Sequence, residues 1–228
     1  MKIGGFQKMT MLDFPERVAC TVWTYGCNLR CPFCHNASLV VDKAELFDEE
    51  EIFSYINKRK GVLDGVCITG GEPLLQKDIF DFMKKIKDLD LLVKLDTNGA
   101  YPDLLKKAIE DGLVDYVAMD IKNSKEKYAQ TVGVSNLDIA PYEKSVEILK
   151  NSGIDYEFRT TIVKELHDLS DIQKIGEWIK GAKKYFLQSF VDSGNTIKTG
   201  YSAHDKNTLE AFKQAVLEHI SRVEIRGI

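Results

Sequence analysis

Short apolar segments rich in β-branched residues alternate along this chain with amphipathic segments of helical length. The apolar segments cover residues 18–25, 65–69, 91–97, 114–121, 154–163, 184–190 and 222–228. Repeated strand–helix units predict a parallel sheet covered by helices, with right-handed crossovers between the strands. About six units are visible, and a closed eight-unit barrel takes roughly 250 residues. The pattern therefore predicts an α/β fold, an open and partial (β/α)6 barrel with parallel strands.

The whole chain, residues 1–228, is predicted to form one domain with an N-terminal extension over residues 1–17. The net charge of −4 gives no support for nucleic-acid binding, which favours a basic face. No apolar run approaches the length of a membrane span, and the first residues lack the apolar core of a signal peptide. We therefore expect a cytoplasmic protein that binds neither nucleic acid nor a membrane.

Several polar residues have the positions of helix N-caps. Asp48 and Asp205 each precede an amphipathic segment and can accept hydrogen bonds from its first backbone nitrogens. Ser170 and Gln173 have the spacing of a capping box. We expect helices to begin directly after Asp48, Ser170 and Asp205.

Three of the five cysteines, Cys27, Cys31 and Cys34, lie in a loop over residues 26–36 that follows the first predicted strand. Thiolates are soft ligands that favour zinc, copper(I) or iron–sulfur clusters. A structural zinc ion normally takes four protein ligands. A 4Fe–4S cluster held by three cysteines keeps one iron for a substrate. The spacing favours such a cluster, and a zinc knuckle or three incidental core cysteines remain as alternatives.

Polar motifs also follow the next three predicted strands. They are TGGEP (69–73), DTNG (96–99) and the pair Asp120 and Lys122. Each of the first two motifs alone is typical of a turn. Two charges on one strand face are costly unless they are paired or functional. Because the carboxyl ends of parallel strands meet at one edge, we expect all three motifs to lie around the cysteine loop.

The remaining cysteines and three of the histidines are predicted to have no chemical role. Cys20 and Cys67 lie inside apolar strand segments and are interpreted as buried small hydrophobes. We therefore expect no auxiliary cluster. His167, His204 and His219 have polar neighbours in the sequence, and we expect them to be exposed.

The spacing Cys-x3-Cys-x2-Cys, with Phe33 before the third cysteine, resembles the radical S-adenosylmethionine superfamily. The resemblance implies that Cys27, Cys31 and Cys34 hold a 4Fe–4S cluster. It also implies that the open iron chelates the methionine amino and carboxylate groups of S-adenosylmethionine. One electron then cleaves this molecule to methionine and a 5′-deoxyadenosyl radical.

The resemblance extends to residues outside the cysteines. It implies that the Gly-Gly-Glu motif binds the methionine amino group and that Phe33 lies near the adenine. It assigns Asp120 and Lys122 a catalytic role beside S-adenosylmethionine, and it associates Asp96, Thr97 and Asp120 with a monovalent cation. The implied cofactor-binding residues are Phe33, His35, Gly70, Gly71, Glu72, Asp96, Thr97, Asn98, Asp120, Lys122, Arg159 and Gln188.

One position departs from the pattern of the family. Some relatives carry a histidine near the end of the sixth predicted strand that contacts S-adenosylmethionine. In this chain Phe190 takes that place, with Gln188 two residues before it. Arg159, on the fifth predicted strand, is expected to face the substrate cavity.

Residues 2–36 resemble activating proteins of anaerobic ribonucleoside-triphosphate reductase, and the order of TGGEP, DTNG and MDIK is similar to that of pyruvate formate-lyase activating enzyme. The resemblance implies a glycyl radical enzyme as protein substrate and flavodoxin or ferredoxin as electron donor. We favour the reductase activator. The alternatives are an activase of pyruvate formate-lyase or another glycyl radical enzyme, a 7-carboxy-7-deazaguanine synthase-like enzyme, and a non-enzymatic metal-binding regulatory protein.

Overall fold

A computed structural model describes residues 1–41 and 45–228 of the chain. Its eight strands form one sheet, in which neighbouring strands follow one another in sequence order. The strands are β1 (Ile3–Thr10), β2 (Ala19–Thr24), β3 (Gly65–Gly70), β4 (Leu92–Thr97), β5 (Tyr116–Asp120), β6 (Asp155–Ile162), β7 (Tyr185–Ser189) and β8 (Val223–Arg226). Strands β2 to β8 are parallel to one another. Strands β1 and β8 are the two edges, so the sheet is open.

Helices connect each parallel strand to the next. They are α1 (Ala37–Val40), α2 (Glu49–Lys58), α3 (Ile79–Lys87), α4 (Pro102–Glu110), α5 (Tyr128–Val132), α6 (Ala140–Asn151), α7 (Leu169–Trp178) and α8 (Lys206–Val216). Since a helix accompanies every crossover from β2 to β8, the predicted open, partial (β/α)6 barrel is confirmed. No helix in the described ranges has the length and apolar character needed to cross a membrane.

Strand β1 differs from the sequence prediction, which left residues 1–17 as an extension. Its sequence, IGGFQKMT, contains two glycines and no clear alternation of apolar and polar residues. Such a segment has little strand preference of its own. It becomes a strand because it pairs antiparallel with β2, with Ile3 opposite Thr24 and Thr10 opposite Ala19. The pairing covers an edge of β2 that would otherwise leave backbone groups unpaired.

The predicted starts of α2 and α8 are confirmed, because Asp48 and Asp205 accept hydrogen bonds from the first turns of these helices. The predicted start of α7 is wrong by two residues. Asp168 and Asp171 form the capping box there, with each side chain accepting from the other's backbone nitrogen at 3.0 Å. Ser170 consequently lies in the first turn. Carboxylates at both positions satisfy the reciprocal bonds as well as the predicted residues would.

The two-residue period of the strands separates an apolar outer face from a charged inner face. On β5 and just beyond it, Met119 and Ile121 are fully buried in the main core, which lies between the sheet and the helices. Asp120 and Lys122 alternate with them and face the inside of the barrel, where they line a cavity. The fold therefore places the charged residues of several strands in one interior space.

Candidate active site at the carboxyl ends of the strands

The carboxyl ends of the parallel strands open into a cavity of about 420 Å³. The cavity brings together every residue that the sequence predicted for the site, with the exception of Glu72. The predicted residues that line it are Cys27, Cys31, Phe33, Cys34, His35, Gly70, Gly71, Asp96, Thr97, Asn98, Asp120, Lys122, Arg159 and Gln188. The prediction that these motifs share one edge of the sheet is thus confirmed in space.

The three loop cysteines are the soft donors of this cavity. Cys31 is buried, and Cys27 and Cys34 are partly exposed to the cavity. Burial raises the pKa of Cys27 to about 11 and that of Cys31 to about 12, so these thiols stay protonated until a metal displaces the proton. The other cysteines, Cys20 and Cys67, are fully buried, as predicted.

The donor set fits an iron–sulfur cluster better than a single zinc ion. In the part of the chain that the structure describes, no three His, Cys, Asp or Glu side chains are grouped so that they could hold one metal ion. A structural zinc ion normally takes four protein ligands, whereas the loop supplies three thiols. Three thiols that line one cavity suit a soft-ligand cluster with one open iron.

The backbone of the cysteine loop is fixed by the end of β3. The backbone nitrogen of Gly71 donates to Thr24 O at 2.9 Å, and that of Glu72 donates to Gly26 O at 2.8 Å. The approach is so close that a Cβ added to Gly71 would lie 1.9 Å from Gly26 O. Only glycine permits this contact, which explains why the Gly-Gly pair stands at this point.

Glu72 lies behind the cavity wall and not in the cavity. It is fully buried, and its carboxylate accepts from the Thr97 hydroxyl at 2.9 Å, the Asn98 backbone nitrogen at 2.7 Å and the Leu74 backbone nitrogen at 3.0 Å. Burial raises the pKa of Glu72 to about 7 in spite of these donors. The carboxylate thus holds the DTNG turn, and the contact of the Gly-Gly-Glu motif with the methionine amino group stays a prediction.

Asn98 continues this connection to the cysteine loop. Its side-chain nitrogen donates to the Asn28 side-chain oxygen at 2.8 Å and lies 3.8 Å from Cys27 Sγ. Its side-chain oxygen accepts from the backbone nitrogen of Ala100 at 2.9 Å. The motifs that follow β2, β3 and β4 are therefore joined by one chain of hydrogen bonds through Glu72 and Asn98.

Charged side chains of alternating sign cross the inside of the barrel. Arg159 donates from Nε to Asp120 Oδ1 at 3.0 Å and from Nη1 to Asp96 Oδ2 at 3.1 Å. Lys122 Nζ donates to Asp120 Oδ2 at 2.9 Å, and Lys94 Nζ donates to Asp96 Oδ1. Burial alone would raise the pKa of Asp120, but Arg159 and Lys122 outweigh it and lower that pKa to about 2.

The oxygens that the resemblance associates with a monovalent cation do not fit one here. All four carboxylate oxygens of Asp96 and Asp120 accept from the lysines and the arginine just described. The Thr97 hydroxyl donates to Glu72 and accepts from the Gly99 backbone nitrogen at 3.1 Å. Because three side-chain cations face two carboxylates, this group carries no net negative charge for an added cation.

Two aromatic rings of the cysteine loop, Phe33 and His35, line the cavity, and each packs on a further ring. Phe33 is buried and meets Tyr201 edge-on, with ring centroids 6.5 Å apart. His35 stacks on Phe190, with centroids 5.2 Å apart and an interplanar angle of 19°. Phe190, at the position where some relatives have a histidine, is itself buried outside the cavity lining, while Gln188 lines the cavity.

The prediction that His167 is exposed is wrong. His167 is buried, and its Nδ1 accepts from the backbone nitrogen of Val163 at 3.1 Å. Its Nε2 therefore carries the proton and donates to Lys122 O at 2.8 Å. Burial lowers the pKa of His167. The polar neighbours in the sequence gave no sign of this, because the turn after β6 folds the ring inward.

Three polar residues that line the cavity, Asn36, Thr161 and Asp13, were not predicted from the sequence. Asn36 donates from its side chain to Gly70 O at 3.2 Å, and its place directly after the Cys34–His35 pair was an available signal. Thr161 is two residues after Arg159 on β6, so the strand period would have placed it on the same face. Asp13 accepts from the Thr21 hydroxyl at 2.6 Å. No sequence signal marked it, since only the pairing of β1 with β2 brings it there.

Comparisons with known proteins agree with this geometry. The profile of the radical SAM superfamily matches residues 21–179. A Methanocaldococcus jannaschii protein, provisionally named a glycyl-radical enzyme activating enzyme, is 32% identical over 196 residues, which cover 82% of this chain and 79% of that protein. The pyruvate formate-lyase-activating enzyme of Clostridium pasteurianum is 29% identical over 195 residues, which cover 80% of this chain and 77% of that enzyme.

A solved structure has the same fold. The crystal structure of Streptococcus suis SuiB bound to S-adenosylmethionine superposes with a TM-score of 0.68 and 15% identity, over 89% of this chain and 48% of that one. At this identity the likeness concerns the fold alone. The profile match covers well over half of the chain, and it includes the cysteine loop and the ends of strands β3 to β6. The chain therefore belongs to the radical SAM superfamily of enzymes.

Proposed function

We propose that this protein activates a glycyl radical enzyme by radical chemistry on S-adenosylmethionine. In this proposal Cys27, Cys31 and Cys34 bind a 4Fe–4S cluster at the wall of the cavity. The observation that carries the proposal is the convergence of three soft donors and the polar ends of β3 to β7 on one cavity. The names of the relatives from M. jannaschii and C. pasteurianum support the choice of a glycyl radical enzyme as substrate.

The cluster, when bound and reduced, supplies the one electron that cleaves S-adenosylmethionine into methionine and a 5′-deoxyadenosyl radical. That radical takes a hydrogen atom from a backbone glycine Cα of the partner, which gives 5′-deoxyadenosine and a glycyl radical. One electron thus enters for each glycyl radical formed. The donor of this electron is proposed to be a flavodoxin or a ferredoxin.

The residues around the cavity have separate tasks in this proposal. Gly70 and Gly71 bring backbone close to the ligand, and Asn98 holds the turn that faces it. Lys122 and Asp120 offer an ammonium and a carboxylate to the zwitterionic methionine part, with Arg159 fixing the carboxylate. Phe33 and His35 supply apolar and aromatic surface for the adenine side. The ring of His35 is held by its stacking on Phe190.

The open sheet supports a protein substrate. Strands β1 and β8 are not paired with each other, so the barrel is open between them. In this proposal a glycine-bearing loop of the partner enters through this opening, and the docked loop excludes water from the radical. We favour anaerobic ribonucleoside-triphosphate reductase as this partner because of the resemblance of residues 2–36.

The proposal is tested by electron paramagnetic resonance after anaerobic reconstitution with iron and sulfide. Reduced protein, S-adenosylmethionine and the reductase of the same host are expected to give a doublet glycyl signal and an equal amount of 5′-deoxyadenosine. If pyruvate formate-lyase gives a glycyl signal and the reductase gives none, pyruvate formate-lyase is the partner. Cleavage of S-adenosylmethionine without a glycyl signal, for every glycyl radical protein of the host, would favour a small-molecule substrate.

The same reconstitution tests the non-enzymatic alternative. A metal-binding regulatory protein would take up zinc tightly, form no cluster and release no 5′-deoxyadenosine under reductant. That result would refute both the cluster and the activase. A matched sample with Cys20 replaced by Ala keeps the three cavity thiols and is expected to behave as the wild type.

A further inference from the structure

Lys94 is a buried lysine whose ammonium takes no part in lining the cavity. Its side chain lies on β4, two residues before Asp96, and the residue is 2% exposed. The ammonium donates to Asp96 Oδ1, lies 3.8 Å from Cys67 Sγ and faces the ring of Tyr116 at 6.0 Å from the ring centroid. Burying an ammonium is costly unless a nearby anion compensates for the lost water. The compensating anion here is Asp96.

The other oxygen of Asp96 is held by a second protein cation. Arg159 donates to Asp96 Oδ2 at 3.1 Å and to Asp120 Oδ1 at 3.0 Å, so its guanidinium bridges the two carboxylates. Lys94 and Lys122 hold the remaining oxygens of Asp96 and Asp120, so both carboxylates are paired with cations that belong to the chain.

We propose that Lys94 and Arg159 are built-in counter-ions of Asp96 and Asp120, so that this site binds S-adenosylmethionine without an inorganic monovalent cation. Lys94 acts as a positioning residue, since it touches Asp96 and not the cavity. The proposal rests on the proposed function for its S-adenosylmethionine part. The part of the proposal that concerns counter-ions depends only on the contacts of Lys94 and Arg159 with the two aspartates.

The charge balance gives the proposal its physical basis. An inorganic cation between Asp96 and Asp120 would need oxygen ligands that are free to turn toward it. Each of the four carboxylate oxygens already accepts from Lys94, Arg159 or Lys122. An added cation would lie against three positive side chains that already balance the charge of both carboxylates. The side-chain cations are also present at every salt concentration, because they are part of the chain.

The experiment compares reconstituted holoenzyme in K⁺, in Na⁺ and in tetramethylammonium, a cation too large for a carboxylate pocket, at one ionic strength. Three quantities are measured: the melting temperature, the line width of the sodium NMR signal, and the dissociation constant of S-adenosylmethionine by equilibrium dialysis. For the wild type we expect no broadening of the sodium signal. We expect the dissociation constant to agree within about twofold among the three salts.

The variant Lys94→Met removes one counter-ion and keeps an unbranched side chain that is shorter by one atom. We expect this variant to gain a sodium signal that K⁺ displaces, and to bind S-adenosylmethionine at least about fivefold more tightly in K⁺ than in tetramethylammonium. Lys94→Arg keeps the charge and is expected to stay independent of the salt. The matched control is Lys87→Met, which breaks an ion pair with Asp115 at 2.7 Å outside the cavity and should add no cation dependence.

Two results would overturn the proposal. One is a sodium signal in the wild type that K⁺ displaces, and the other is a loss of S-adenosylmethionine affinity of about tenfold or more when tetramethylammonium replaces K⁺. If Lys94→Met fails to fold, the wild-type measurements still decide. If the holoenzyme binds no S-adenosylmethionine in any salt, the proposed function fails, and the sodium signal still decides whether the counter-ions are built in.

Discussion

Glu72 Oε2 accepts a hydrogen bond from the backbone nitrogen of Asn98 at 2.7 Å, and both residues are buried. The bond joins the end of β3 to the end of β4 through a carboxylate that has no access to solvent. The side chain of Asn98 in turn donates a hydrogen bond to the side chain of Asn28 in the cysteine loop. The shape of the cavity wall thus depends on a residue that lies behind it.

This arrangement predicts that Glu72 changes the pH dependence of stability. Burial raises its pKa from 4.5 to about 7, so the folded protein holds this proton more tightly than the unfolded chain. The contribution of Glu72 to the free energy of unfolding is complete at pH values below its pKa in the unfolded chain. It is lost as the pH rises through about 7. We expect the free energy of unfolding in urea to fall by about 3 kcal/mol from this group over that range. The variant Glu72→Gln should lack this component, and an unchanged slope in the variant would contradict the prediction.

Replacement of Cys31 by Ala is expected to abolish the cluster and the cleavage of S-adenosylmethionine. Two remaining thiolates are too few to keep a 4Fe–4S cluster that works with one open iron. Iron and sulfide content, the visible absorption of the cluster and 5′-deoxyadenosine are measured together. Cys20→Ala is the matched control, because Cys20 is also buried but lies outside the cavity. Retained cleavage in Cys31→Ala would refute the ligand assignment.

The close approach of Gly71 to the cysteine loop predicts a large effect of a single methyl group. In Gly71→Ala the new Cβ would lie 1.9 Å from Gly26 O, so the loop must move. We expect a loss of about 2 kcal/mol in the free energy of unfolding, together with weaker cluster retention. Gly153→Ala is the control, since a Cβ there meets nothing within 4 Å. Equal stability of the two variants would show that the loop does not depend on this contact.

His167 is predicted to stabilise the end of β5 through the carbonyl of Lys122. The variant His167→Phe keeps an aromatic ring but removes the Nε2–H donor to Lys122 O and the acceptor for the Val163 backbone nitrogen. Two buried backbone groups then lose a partner, which costs about 2 kcal/mol of the free energy of unfolding. We also expect a higher KM for S-adenosylmethionine. Lys60→Ala, which removes an exposed ion pair with Asp90, should change either quantity little.

The strands of the barrel were largely predictable because their signal is local. The predicted segment 65–69 corresponds to Gly65–Gly70, and the predicted segment 154–163 corresponds to Asp155–Ile162. A parallel strand that is covered by helices consists mostly of apolar residues, which follow one another closely in the sequence. The cysteine spacing is local in the same way, since one loop must present all three thiols.

The parts that the sequence did not reveal depend on partners that are distant along the chain. Strand β1 exists because β2 offers it an edge, and Asp13 reaches the cavity as a consequence. His167 is buried because its ring reaches the carbonyl of Lys122, 45 residues away. The capping box of α7 begins at Asp168 and not at Ser170, because a reciprocal carboxylate pair was available two residues earlier.

The sequence by itself determined the α/β alternation, the order of the motifs and the cysteine ligands proposed for the cluster. These features follow from periodicity and from the chemistry of residues that are neighbours in the chain. Only the tertiary structure decided that Glu72 supports the cavity from behind and that Lys94 and Arg159 neutralise Asp96. The reason is that the charge and burial of a carboxylate depend on which side chains the fold brings within about 3–4 Å of it. Those side chains are distant along the chain, so the local sequence does not identify them.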